Sequence, residues 1–234
     1  MKVSLENQLS LGLLNDLEVT TQPSSEALTM PNGELMPNGE VVMYHNFFNK
    51  VESDRLFQEL LSGVKWRQDK IKFYGKEIDL PRLTAWYGDD GKSYKYSGIY
   101  MNPDDWTHTL LTIKRRIEEV AGVKFNSVLI NLYRNGQDSV SWHSDDESEL
   151  GKNPIIGSVS FGEARRFQFK HKTNKSLDKV EIALTHGSFL IMKGSTQHFW
   201  KHQIPKTSKP LRERINLTFR IVNCCGHSFH SACN

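Results

Sequence analysis

A chain of 234 residues is long enough for one domain with a real core and too short for two of ordinary size. With 38% hydrophobic and 24% charged residues it is excluded from the disordered and fibrous classes, and its net charge of +3 permits a polyanionic partner without demanding one. Its 3 cysteines, Cys224, Cys225 and Cys233, exclude a disulfide-stapled scaffold and suit a reducing compartment. No apolar run approaches the ~18 residues of a membrane span, and no apolar h-region follows the N-terminal lysine. The expectation is a soluble intracellular monomer with no membrane association, cytoplasmic in a bacterium or nuclear in a eukaryote.

In chain order, residues 1–40 are rich in turn formers and small polar residues and read as a flexible leader, with MPNGEL and MPNGEV as a pair of turns inside it. Order is expected from Val41 in VVMYHNFF. Two helices follow from apolar spacing. One spans Asn49 to Ser62, with Val51, Leu56, Phe57, Leu60 and Leu61. The other spans Thr107 to Ala121, with Leu110, Ile113, Ile117 and Val120 on one stripe. The remainder reads as strands: RLTAWYG, SVLINLY, SVSWH, IIGSVSFG, RRFQFKHK, KVEIALT, SFLIMKG and RINLTFRIV. Glycine, asparagine and aspartate break them at short intervals, as in an all-β sandwich or barrel. The fold class is mainly β with flanking helices, a double-stranded β-helix (jelly-roll) core backed by two N-terminal helices.

Three stretches carry chemistry. In NLYRNGQDSVSWHSDDE, His143 and Asp145 form an H-x-D pair, and residues two apart on a strand point the same way. Two histidines and one carboxylate on one face of a metal leave open positions, the arrangement of non-haem Fe(II) oxygenases. FWKHQIP offers the third ligand as His198 or His202. His202 is preferred because it lies nearer the later arginine strand and because Pro205 marks where its own strand ends. A zinc hydrolase could use the same three ligands. In RINLTFR, alternation puts Arg214, Asn216, Thr218 and Arg220 on one face, with no carboxylate among them. An O2-activating iron needs an electron-supplying co-substrate. A small dicarboxylate could bind the metal at one end and an arginine at the other, because the guanidinium fork pairs bidentately with a carboxylate.

Together these motifs resemble, in order and spacing, the AlkB family of Fe(II)/2-oxoglutarate dioxygenases, from about Val42 to Val222. The likeness is closest to the nucleic-acid repair members, through SVSFGEARRFQFKHK and LTHGSFLIM. The resemblance implies a catalytic domain over residues 41–222 with iron on His143, Asp145 and His202. It places Arg214 on the far carboxylate of 2-oxoglutarate and Arg220 near its metal-bound end. Asn131, Tyr133, Asn216 and Thr218 would add hydrogen bonds. The implied reaction uses Fe(II), O2 and 2-oxoglutarate to oxidise an N-methyl group on a base of alkylated DNA, with RNA as a further candidate. It releases formaldehyde, succinate and CO2. Such an enzyme takes its base out of the stack.

By the same resemblance, residues 66–100 form a nucleotide-recognition lid. Tyr74, Gly75 and Lys76 would be a hairpin tip, Arg82 a backbone or stack contact, and Tyr94 and Tyr96 a pocket wall. Asp146 would reach the substrate base. The tip tyrosine differs from the family's usual phenylalanine. Residues 223–234 read as a frayed tail, since their cysteine and histidine spacing fits no common zinc finger. Two other readings compete: a 2-oxoglutarate hydroxylase of a protein or small molecule, and a nucleic-acid-binding module whose iron site is inactive.

Overall fold

The computed structural model describes residues 24–73, 75–90, 94–96, 99–101 and 103–223. The N-terminal part runs β1 (Ser24–Ala27), β2 (Glu40–His45), α1 (Lys50–Gly63), β3 (Lys70–Phe73), β4 (Lys76–Asp79) and β5 (Leu83–Gly88). It continues through β6 (Tyr94–Tyr96), β7 (Ile99–Met101) and α2 (His108–Ala121). The C-terminal part holds β8 (Ser127–Tyr133), β9 (Val140–His143), β10 (Ile156–Gly162), β11 (Arg165–His171) and β12 (Val180–Leu184). It closes with β13 (Ser188–Lys193), the short α3 (Thr196–Phe199), β14 (Trp200–Ile204) and β15 (Arg214–Arg220).

The helix ends follow from their caps. Asn49 precedes α1 and its side chain accepts a hydrogen bond from the Glu52 amide at 2.9 Å, satisfying one of the amides a helix start leaves orphaned. Thr107 does the same for Leu110 at the start of α2, and Gly122 ends that helix at φ 68°, a left-handed conformation that glycine adopts without strain. Two residues expected on the apolar stripes miss the core: Val51 is 64% exposed and Val120 41% exposed. Each sits at the margin of its stripe, beyond reach of the sheet.

The strands form two facing sheets with the mainly β, jelly-roll architecture expected. The larger has the order β1-β2-β13-β10-β15-β8-β5 and the smaller β12-β11-β14-β9. One apolar cluster joins α1 and α2 to the outer face of the large sheet, through Leu56, Leu60, Leu110, Ile113 and Ile117 against Ile215, Leu217 and Phe219. A second, between the sheets, contains Leu129, Phe167, Phe169, Met192 and Trp200. Every residue of β15 is buried as a result, including the polar row that alternation alone would leave in water. Leu217→Ala removes a side chain that is 0% exposed at the centre of the helix-side core. We expect it to lower unfolding stability by about 2–5 kcal/mol in urea titration with an unchanged m-value.

The described fold includes residues before Val41. β1 pairs antiparallel with β2, Ala27 opposite Val42, and Leu28, Met30 and Met36 are buried between the sheets. Both MPNG copies are turns: the Gly33 amide donates to the Met30 carbonyl at 2.8 Å and the Gly39 amide to that of Met36 at 3.0 Å. The turn formers are local, whereas the few apolar residues between them provide the burial that anchors the segment, so residues 24–40 are part of the fold rather than a leader. Residues 1–23 and the tail from Cys224 lie outside the described residues. No helix among the described residues is long and apolar enough to cross a membrane.

Candidate metal and co-substrate site

His143 ends β9, and its Cα partner on the neighbouring strand β14 is His202. The pairing puts the two imidazoles in contact, ring centroids 4.2 Å apart and planes at 66°. Asp145 lies past the end of β9, so the turn after the strand, not simple alternation, brings its carboxylate to the histidines. One ligand atom each from His143, Asp145 and His202 falls within 4.8 Å of the others. Asp145 and His202 are buried and His143 is half-buried, so the cluster opens to one side.

The surroundings orient each donor. His143 Nδ1 lies 2.8 Å from the Ser141 carbonyl, which can only accept, so this nitrogen carries the proton and Nε2 keeps its lone pair. Arg220 Nη2 donates to Asp145 Oδ1 at 2.6 Å, turning Oδ2 toward His202 Nε2, 3.8 Å away. The Asp145 amide donates to Gln197 Oε1 at 2.9 Å, and Gln197 is delivered by α3. Burial opposes ionisation of Asp145, but the neighbouring Arg220, His202 and His143 outweigh it and hold the carboxyl at about 2. Burial, helped by the adjacent His143, pushes His202 down to about 3. Both are thus in the form a metal ion requires at neutral pH, an anionic carboxylate and a neutral imidazole.

A polar row on the large sheet continues the pocket. Across β15 and β8, Arg214 faces Tyr133 and Asn216 faces Asn131. Across β15 and β10, Asn216 faces Ser160 and Thr218 faces Ser158. Arg214 Nη2 donates to Ser160 Oγ at 2.9 Å, and Asn216 Nδ2 donates to Ser158 Oγ at 2.8 Å. Thr218 Oγ1 donates to Asn216 Oδ1 at 3.1 Å. The Arg214 guanidinium lies 5.1 Å from the Tyr133 ring centre. Its Nε and Nη1 are buried without a protein partner, and burial pushes its pKa down to about 10. A buried guanidinium with two idle nitrogens is costly alone and well matched to a carboxylate.

Ser158, Ser160 and Gln197 join the site through contacts with Asn216, Arg214 and Asp145. The alternating serines of SVSFG were the available signal for the first two; nothing local marks Gln197.

The expected nucleic-acid contacts are spread more widely. β3 and β4 form a hairpin with Phe73 opposite Lys76, Gly75 at φ 77° in its turn and Lys76 exposed. Tyr74 lies outside the described residues. Tyr94 and Tyr96 lie on β6, paired with β7, and their side chains are outside the described residues. Arg82 is not at the surface where a phosphate or stack contact would require it. It is 4% exposed, donating from Nε to Asn131 Oδ1 at 2.8 Å and from Nη1 to the Ser139 carbonyl at 3.1 Å. Its work is to hold Asn131 and the approach to β9. Asp146 is exposed, and its Oδ2 accepts from Lys172 Nζ at 2.7 Å. His198, the alternative third ligand, is exposed on α3 and reaches Asn153 Oδ1 at 3.0 Å rather than the cluster.

Residues 40–220 match the family model of the 2OG-Fe(II) oxygenase superfamily. The human "Alpha-ketoglutarate-dependent dioxygenase alkB homolog 3" is 44% identical over 198 residues, 80% of this chain and 68% of that protein. The bovine "DNA oxidative demethylase ALKBH2" is 39% identical over 199 residues, 81% of this chain and 72% of that one. Among solved structures, that of OsALKBH1 aligns with a TM-score of 0.59 at 15% identity, over 84% of this chain and 100% of its own, a likeness of fold.

Proposed function

The chain belongs to the 2OG-Fe(II) oxygenase superfamily, on its AlkB branch, and from that premise we propose that it is an oxidative demethylase of N-alkylated bases in DNA. The observation that carries the reading is one pocket holding both a His–Asp–His donor set and a fully buried arginine with two unpartnered nitrogens. The donor set fits Fe(II), and the arginine fits the remote carboxylate of 2-oxoglutarate. The relatives whose printed names include DNA oxidative demethylase support the substrate class.

In this assignment His143, Asp145 and His202 hold the metal, and Arg214 holds the co-substrate. When bound, iron and 2-oxoglutarate with O2 would supply the oxidation of an N-methyl carbon, 2-oxoglutarate leaving as succinate and CO2 and the hydroxymethyl product separating as formaldehyde and the restored base. The protein's own work is positional. Arg220 and Gln197 fix Asp145 from two sides, and the Ser141 carbonyl fixes the His143 tautomer. Ser158 and Ser160 hold Asn216 and Arg214 in line along β15, and Asn131 and Tyr133 close the row from β8. Leu129, Val140, Phe167 and Met192 line the same pocket and keep bulk water from it. The hairpin tip with Tyr74, Gly75 and Lys76, the Tyr94 and Tyr96 strand, and Asp146 are the parts we assign to the nucleic acid. The enzyme acts as a monomer, and RNA carrying the same lesions is a further substrate.

The test supplies Fe(II), 2-oxoglutarate and O2 with matched single- and double-stranded oligonucleotides carrying 1-methyladenine, read by mass spectrometry. Loss of one methyl mass that depends on 2-oxoglutarate is expected, and the rate ratio gives the strand preference. Succinate formation with no loss on either strand would overturn the demethylase reading and favour a hydroxylase of a protein or small molecule.

A further inference from the structure

The outer face of the small sheet carries a feature that the pocket does not use. Trp142, the residue before His143, lies half-buried on β9, the edge strand of that sheet. Lys170 from β11 places its ammonium 4.3 Å from the Trp142 ring centre, and Lys179, just before β12, lies 5.8 Å away. Lys201 of β14 and Lys175 of the β11–β12 turn complete the group. Partial burial, then the charges of Lys175, Lys201 and Lys179, lower the pKa of Lys170. Among the described residues, none of these four lysines has a carboxylate within salt-bridge distance. On the same strands Glu181 is engaged elsewhere, taking Arg166 at 3.7 Å and Gln168 at 2.5 Å. Two ammonium groups over one indole, with Lys175 and Lys201 close enough to Lys170 to repel it and none of the four in an ion pair among the described residues, constitute a polyanion surface with a stacking plate beside it.

The patch is continuous with the reaction site. Trp142 and His143 are neighbours in the chain. Lys172 joins the two regions, its ammonium 2.7 Å from Asp146 Oδ2 and its carbonyl accepting from Lys175 Nζ at 2.8 Å. A strand that delivers a base to the His143–Asp145 side therefore has the edge of β9 as a route to the outer face.

We infer that Trp142, with Lys170, Lys175, Lys179 and Lys201, forms a second, sequence-independent contact for single-stranded nucleic acid, a base near the reacting one stacking on Trp142 and its flanking phosphates lying on the ammonium groups. The inference rests on the demethylase reading for its polymer. A single strand is the form that fits, because a base in a duplex has no free face to give the indole. The ammonium groups over the ring are the weaker occupant: a cation–π contact at an exposed site is worth less than base–aromatic stacking. On binding, the lysines exchange the ring for phosphates, and the ring takes the base.

The test compares Trp142→Ala, Trp142→Phe and the double variant Lys170→Gln/Lys179→Gln with the parent protein. Two measurements are made on each: fluorescence anisotropy with an unmethylated single strand of about fifteen nucleotides, and turnover of a methylated trinucleotide and of the long strand. Trp142→Ala is expected to weaken the long strand at least about fivefold, with Trp142→Phe restoring much of the loss. The lysine pair is expected to flatten the slope of log K against log salt by about 0.7 per lysine. Turnover of the trinucleotide stays at the parent value. Equal long-strand affinity and salt slope in all proteins would overturn the platform. If Trp142→Ala also loses trinucleotide turnover, the alanine has disturbed His143, and the lysine pair decides. Should the parent protein demethylate nothing, the demethylase reading fails while the anisotropy still decides the platform.

Discussion

Replacing His143 by alanine is expected to abolish 2-oxoglutarate-dependent turnover, by well over about a hundredfold, while affinity for single-stranded DNA stays nearly intact. Changing a residue that merely supports a metal ligand costs roughly 10–100-fold, so loss of the ligand itself should cost more. His143 is half-buried at the mouth of the cluster, and its removal opens no cavity in either apolar core. The fold should therefore survive, and the loss should be visible directly as weakened Mn(II) binding by calorimetry. His198→Ala is the informative control. That ring is exposed on α3 and bonded to Asn153, so metal affinity and turnover should both be unchanged. Retained turnover in His143→Ala, or its loss in His198→Ala, would refute the assigned ligand set.

Arg214→Met should separate stability from function in opposite directions. The Arg214 guanidinium is wholly buried, with Nε and Nη1 unpartnered within the protein and its pKa pushed down to about 10 by burial. An apolar side chain of similar length removes that desolvation cost, so the free protein should melt at the same temperature or a few degrees higher. The same change deletes the charge-assisted hydrogen bonds to the co-substrate, each worth about 1.5–3 kcal/mol. The 2-oxoglutarate concentration for half-maximal turnover should then rise on the order of a hundredfold. The DNA requirement should barely move. In thermal scans 2-oxoglutarate with Mn(II) should stabilise the parent protein and leave the variant unaffected at the same concentration. A variant that needs more DNA rather than more 2-oxoglutarate would refute the assignment.

Much of this architecture could be read from local pattern. SVLINLY and RINLTFR coincide with β8 and β15, and the Asn49 and Thr107 caps start the two helices one residue inside the expected limits. Such features depend on alternation, helical spacing and cap chemistry, which a short window contains in full. The arginine row was legible for the same reason; His143 and Asp145 were legible as an H-x-D pair, but it is the turn after β9 rather than alternation that brings Asp145 to the histidines. Residues 24–40 depart from the leader that their composition suggests because a turn-rich segment is ordered by what it packs against, and Leu28, Met30 and Met36 find their partners on strands far along the chain.

Other decisions belong to the tertiary structure. Either histidine of FWKHQIP had the right chemistry. The pairing of β14 with β9 sets His202 against His143, while α3 turns His198 out to Asn153. Arg82 carried the charge of a phosphate contact, yet β5 lies beside β8 and points it at Asn131. The polar face of β15 would be a wet surface on an open sheet. The facing sheet closes over it and turns Arg214 and Arg220 into buried cations, one unsatisfied until an anion arrives and the other committed to Asp145. Alternation records which side chains share a face; only the non-local pairing of strands and sheets determines whether that face meets water, another sheet or a metal.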